Sequence, residues 1–173
     1  MVTLRATKKV LRYLPASPGT SEPSTTALGD WYVNRLVIDR QPLLLMMSSK
    51  SLLTMLTPAR DLRSLPARLA DLVGGRLRRL GVAPTLVSAE LSAMRDVVVA
   101  PTNDRHVLGY LTEFTRELPY HLPVGGWDVT TLPFTEMQLA RTPCHLDRDI
   151  WPDREAPALL AAHWAATRGT SGP

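Results

Sequence analysis

The sequence predicts an α+β fold: a small, mostly antiparallel sheet with helices packed mainly on one face. Three observations predict it. Strand-like and helical segments do not alternate strictly, as a doubly wound parallel sheet would require. Two β-rich runs, Trp31-Tyr32-Val33-Asn34-Arg35-Leu36-Val37-Ile38 and Leu43-Leu44-Leu45-Met46-Met47, flank Asp39-Arg40-Gln41-Pro42, the signature of a hairpin over residues 30–47. The chain has 173 residues, the size of one domain that buries a core without needing disulfides or metals.

Taken in order, Val2-Thr3-Leu4 reads as a short strand and residues 6–13 as a helix, with Val10, Leu11 and Leu14 at helical spacing and Pro15 stopping it. Residues 15–27 are rich in Pro, Ser, Thr and Gly and read as a flexible loop. After the hairpin, Ser48 or Ser49 caps a short expected helix through Leu56, ended by Pro58. A helix from Ser64 to about Leu80 carries Leu65, Leu69, Leu72, Val73 and Leu77 on one face, and Gly74-Gly75 is a candidate break within it. Residues 84–94 favour a helix. Asp96-Val97-Val98-Val99-Ala100 is a strand, and Thr102-Asn103-Asp104 is a turn bearing N-cap residues. The helix that follows runs to about Leu118. Further helices are expected at residues 130–140 and, capped by Asp153, at 156–166. One domain over residues 1–166 with a disordered tail at 167–173 is the expected organisation.

Charge is unevenly spread. Residues 1–79 hold 13 Lys/Arg against 5 Asp/Glu, and residues 80–173 hold 7 against 11. Such an asymmetry marks either a basic face for an anionic partner or two halves that attract each other. Cys144 is the single cysteine, which forbids an internal disulfide and suits a reducing compartment. The polar start Met1-Val2-Thr3-Leu4-Arg5 does not read as a secretory signal, and no apolar run approaches the ~20 residues of a membrane span. A cytoplasmic location with no membrane association is the expectation.

Three polar constellations stand out as ligand sites. Thr102, Asn103, Arg105 and His106 lie where a strand gives way to a helix, so unpaired backbone N–H groups, a forked guanidinium and an imidazole meet there. Capping by Asn103 or Asp104 alone also accounts for that turn. Thr7, Lys8 and Lys9, with Arg5 and Arg12, occupy a second strand-to-helix turn, or form a solvated basic face. Trp31, Asn34 and Arg35 on the first hairpin strand offer stacking and hydrogen bonding to a base. There Trp31, Val33 and Arg35 share one face, while Tyr32, Asn34 and Leu36 share the other, and an aromatic on a strand also suits the core. Cys144-His145-Leu146-Asp147-Arg148-Asp149 holds ligand types, but no second Cys/His pair accompanies it, so no metal is expected. Nucleotide-loop, zinc-protease and hydrolase motifs are absent, and no cofactor is implied.

Three segments carry a family resemblance: Leu4-Arg5-Ala6-Thr7-Lys8-Lys9, Gly29-Asp30-Trp31-Tyr32-Val33-Asn34, and Thr102-Asn103-Asp104-Arg105-His106-Val107-Leu108-Gly109. As LR-x-T-KK, G-x-WY-x-N and T-N-x-R-x-VLG patterns, they resemble a family of bacterial proteins known as a domain of unknown function, over residues 2–150. The resemblance implies that the three segments share one domain, and it brings no catalytic residue. The sequence therefore points to a non-catalytic binding or regulatory module with a basic site for an anionic partner such as nucleic acid. A small enzyme acting on a nucleotide or phosphorylated substrate is the first alternative. A module that binds another protein, or a second copy of itself, is the other.

Overall fold

A computed structural model describes residues 1–19 and 22–169, with side chains through residue 166. Its centre is a five-stranded mixed sheet. The strands are β1 (Val2–Ala6), β2 (Trp31–Ile38), β3 (Gln41–Ser48), β4 (Thr54–Pro58) and β5 (Val97–Pro101), in the spatial order β4-β3-β2-β1-β5. The hairpin β2–β3 and its neighbour β4 pair antiparallel, whereas β1 runs parallel to both β2 and β5. The helices are α1 (Lys8–Leu11), α2 (Leu65–Arg79), α3 (Pro84–Ala93), α4 (Arg105–His121), α5 (Leu132–Ala140) and α6 (Pro152–Gly169). A two-residue hairpin, β6 (Cys144–His145) with β7 (Asp149–Ile150), lies beyond the main sheet. The class is α+β, as expected.

Helices cover both faces of the sheet, a more even division than packing mainly on one face. On the first face, Val2, Leu4, Trp31, Val33, Leu44, Met46 and Met55 pack with Val10 of α1, with Leu65, Leu69, Val73 and Leu77 of α2, and with Val87 and Leu160. On the second, Tyr32, Leu36, Leu43, Leu45, Met47 and Leu56 pack with Val107, Leu111, Phe114 and Leu118 of α4 and with Leu132 and Leu139 of α5. The physical cause is that the hairpin strands are apolar on both sides. An alternating strand with one wet face would need one helical layer, and a strand apolar on both faces needs two.

Three local expectations are corrected. Residues 48–56 form a tight turn and β4, not a helix. Leu52, Met55 and Leu56 satisfy i, i+3, i+4 spacing, but they equally fit a strand buried on both faces, and pairing with β3 decides between them. The turn is held by a 2.5 Å contact between the Ser48 and Ser51 hydroxyls and places Leu52 at φ 55°. Second, α2 runs unbroken through Gly74-Gly75. Gly74 is there for close approach, since a Cβ would stand 2.9 Å from Leu91 Cδ1 of α3. Third, α6 begins at Pro152, so Asp153 lies within its first turn and does not precede it, and the helix continues past residue 166 to Gly169. The rest of the expected tail, residues 170–173, lies outside the described residues. In the loop at 15–27, Ser17 N donates to Val99 O, Ser24 Oγ accepts from Thr3 N, and Thr25 N donates to Met1 O. Thr20 and Ser21 of that loop lie outside the described residues. Among the described residues no helix is long and apolar enough to cross a membrane.

Candidate functional site

The parallel part of the sheet sets up the site. β1 and β5 are adjacent and in register through Ala6↔Pro101. The chain leaves β1 toward α1 on the first face and leaves β5 toward α4 on the second. Neighbouring parallel strands whose connections depart to opposite faces open a crevice at their carboxyl ends, where ligands of open α/β sheets bind. Thr7 and Thr102 are the first residues beyond the Ala6↔Pro101 pair. Asn34 joins them from β2, because Thr7 N extends the ladder by donating to Val33 O at 3.1 Å. Thr7, Asn34 and Thr102 therefore stand at one end of the sheet.

Around Thr7 the hollow holds about 430 Å³ and is lined by Thr7, Lys8, Lys9, Asn34, Leu108, Leu111, Thr112, Thr115 and Arg116. A polar chain fixes its floor. Thr7 Oγ1 donates to Asn34 Oδ1 at 3.1 Å, Asn34 Nδ2 donates to Thr115 Oγ1 at 3.3 Å, and Thr115 Oγ1 donates to Leu111 O at 2.7 Å. This chain supplies the partners that a half-buried Asn requires. Lys9 also lines a second hollow of about 370 Å³ with Arg12, Tyr13, Arg35, Leu36 and Val37, in which the Arg35 guanidinium lies 5.3 Å from the Tyr13 ring centre. Leu108, Thr112 and Arg116 are shared with a third hollow, of about 700 Å³, that adds Arg105, His106, Gly109, Tyr110 and Glu113. The first two hollows together present Lys8, Lys9, Arg12, Arg35 and Arg116 with no carboxylate in their linings. Among the described residues, none of these five, nor Arg105, makes an ion pair.

Arg105 also lines a fourth space of about 680 Å³, bordered by Arg5, Ser24, Asp30, Tyr32, Lys50, Asn103 and Asp104. This space is already well satisfied. Arg5 Nε donates to Asp30 Oδ2 at 2.7 Å, Ser24 Oγ donates to Asp30 Oδ1 at 2.5 Å, and the Tyr32 hydroxyl donates to Asn103 Oδ1 at 2.7 Å. Burial, foremost, raises the Tyr32 phenol above its ordinary value of 10.0. Gly29, at φ +75°, lets the loop enter here, where a Cβ would fall 2.4 Å from Ser49 Oγ. Asp104 caps α4, its carboxylate accepting from His106 N at 2.8 Å and Val107 N at 3.3 Å, so the helix start is closed by a built-in anion. The capping explanation of that turn is thus met, and the cationic side chains around it carry the binding case.

Of the sequence-derived candidates, Thr7, Lys8, Lys9, Asn34 and Arg35 come together on the first two hollows, and Asn103, Arg105 and His106 on the adjoining two. Trp31 does not join them: it is 0% exposed in the core of the first face, and its indole N–H has no partner among the described residues. Thr102 is half-buried and lines none of the four hollows. His106 is exposed, stacks on Tyr110 with ring centres 5.7 Å apart, and has Nε2 3.1 Å from His145 O. The Tyr110 hydroxyl donates to that same carbonyl at 2.8 Å, which pins the β6–β7 hairpin to α4.

Arg116, Tyr13 and Tyr110 were not singled out as candidates in the sequence. The signal existed for Arg116. Arg105, Leu108, Gly109, Thr112 and Arg116 sit at i, i+3, i+4, i+7 and i+11, one stripe of α4. Among the described residues no cluster of three His, Cys, Asp or Glu is placed to hold a metal ion.

Fold and site together define a class: an α+β protein with cation-lined hollows beside the helices that follow two parallel strands. The chain belongs to the family described as Domain of unknown function (DUF6933), whose model matches residues 3–155. No curated protein and no solved structure matches it.

Proposed function

We propose that the protein is a non-catalytic binding module that holds a nucleic acid by its phosphates along the track formed by Lys8, Lys9, Arg12, Arg35, Arg105 and Arg116. The observation that carries this reading is the pair of adjoining hollows with five cations and no carboxylate in their linings. Converging like charges repel, so this arrangement costs the folded state energy that a polyanion relieves. Thr112, Thr115 and Asn34 add short polar groups suited to sugar and phosphate oxygens. The test is fluorescence anisotropy with labelled oligonucleotides over a salt series. About five phosphate contacts predict affinity that falls roughly a hundred-fold between about 50 and 200 mM salt. No binding at the low-salt end overturns the proposal.

A second reading, a small enzyme acting on a nucleotide, draws on the Arg5–Asp30–Tyr32 space, where Asn103, Asp104 and Arg105 of the turn after β5 meet side chains of β1 and β2. Asp30 and Asp104 place two carboxylates there and rank it second. A nucleotide panel in a thermal-shift assay, repeated with Lys50→Ala in the crevice and Lys8→Ala in the track, separates the two: a shift that only Lys50→Ala abolishes supports the second reading, and one that only Lys8→Ala abolishes supports the first.

A further inference from the structure

We infer that the track takes a single polynucleotide strand in preference to a duplex, an inference that rests on the nucleic-acid reading above and names its substrate class. The observation behind it is that each end of the cationic stretch carries an exposed planar stack. At one end Tyr13, 49% exposed, lies under the Arg35 guanidinium at 5.3 Å. At the other, His106 is exposed and lies on Tyr110 with 15° between the ring planes. Lys8, Lys9 and Arg116 line the hollow that shares residues with both.

Planar groups interleaved with cations are the chemistry that holds an unpaired strand: phosphates follow the charges, and each splayed base lays a π-face on a ring or guanidinium. In a duplex those faces are consumed by stacking between base pairs and offer nothing to Tyr13 or His106. The shape agrees. Duplex readers push a convex helix or β-ribbon into the wide groove. Here the cations line hollows between α1, α4 and β2, and the start of α4 is occupied by its own cap, Asp104. A concave track between elements accepts a thin, flexible strand and has no element that enters a groove.

The experiment uses the full chain and mixed-sequence 12-mers, as single-stranded RNA, single-stranded DNA and the matching duplexes, in anisotropy titrations at one salt concentration. Single strands of at least one sugar type are expected to bind about ten-fold or more tightly than their duplex. Tyr13→Leu and His106→Leu are each expected to weaken single-strand binding roughly five-fold or more. The slope of affinity against salt stays as in the parent, because no phosphate contact is lost. Tyr13→Phe and His106→Phe keep a ring and are expected to stay within two-fold of the parent. Circular dichroism of each variant confirms folding. Equal or tighter duplex binding, or Phe variants that lose as much as the Leu variants, overturns the inference and leaves the nucleic-acid reading standing. Absence of binding to every oligonucleotide removes both.

Discussion

Arginines near the two sides of the sheet meet opposite surroundings. Beside β4, Arg76 is 1% exposed, and its guanidinium donates to Thr54 O at 3.0 Å and to Glu136 O at 3.1 Å. Glu136, 2% exposed, accepts from Arg79 at 2.6 Å and from the backbone N–H of Leu56 at 2.8 Å. Burial pushes the Arg76 guanidinium below its ordinary value, and the Glu136 charge opposes that shift. Across the sheet, Arg12, Arg105 and Arg116 are exposed, gathered near Lys8 and Lys9, and make no ion pair among the described residues. Buried cations are tolerated only where carbonyls and a carboxylate satisfy them. Exposed cations that converge without such partners add nothing to the fold. The first set is structural, and the second is free to meet a ligand.

The largest effect that separates the two sets is expected from Glu136→Gln. It leaves Arg76 buried without its counter-charge and takes the carboxylate charge away from Arg79, a loss of about 3 kcal/mol by analogy with other broken buried pairs. Denaturant unfolding measures it, and oligonucleotide affinity at a temperature where the variant is folded is expected to be unchanged. A stability change below about 0.5 kcal/mol breaks the comparison from the structural side.

Next comes Cys144, buried beneath α4, whose thiol is raised to about 11 by burial and then by Glu113 and Glu117. The folded value lies above the ordinary one, 9.0, so the thiol's contribution to stability is present below about pH 9 and is lost as pH rises toward about 11. At about pH 8 the thiolate fraction is roughly a thousandth, and alkylation of the native protein is expected to run at least about a hundred-fold slower than in denaturant. Fast native labelling at that pH contradicts the placement of Cys144 beside the acidic side of α4.

The smallest effect is expected from neutralising the track itself. Lys8→Gln, Lys9→Gln and Arg116→Gln together are expected to change unfolding free energy by no more than about 0.5 kcal/mol, with the sign toward stabilisation as repulsion is relieved. A marked loss of stability places these residues with Arg76 and not apart from it.

How much of this was legible in the sequence follows from what each residue's neighbours decide. The hairpin was legible because Trp31–Ile38 and Gln41–Ser48 are β-rich runs around a turn, although the turn itself is the two residues Asp39 and Arg40, at φ 52° and 62°. The face assignment of Trp31 and Val33 against Tyr32 and Leu36 also held, since strand alternation is local. β4 was not legible, because Leu52, Met55 and Leu56 fit two periods and only the long-range ladder with β3 chooses between them. Residues at the ends of β1 and β5 stood out as candidates because strand-to-helix turns announce themselves by polar residues after an apolar run. Trp31 entered the candidate set on chemistry alone, and its burial is a tertiary fact. The joining of the Thr7 and Arg105 turns through Arg116 is likewise tertiary: it depends on α4, packed on the second face, reaching the end of the sheet where α1 begins on the first.

The most direct test pits position against net charge. The triple variant Lys8→Gln, Lys9→Gln, Arg116→Gln is compared with Arg60→Gln, Arg63→Gln, Arg78→Gln, which removes three exposed cations outside the four hollows. The measured quantity is the slope of log affinity for a single-stranded 12-mer against log salt concentration. The first variant is expected to lose about two units of slope, at roughly 0.7 per phosphate contact, while the second keeps the parent slope. Equal losses in both variants would mean that diffuse positive charge, with no track, accounts for the binding.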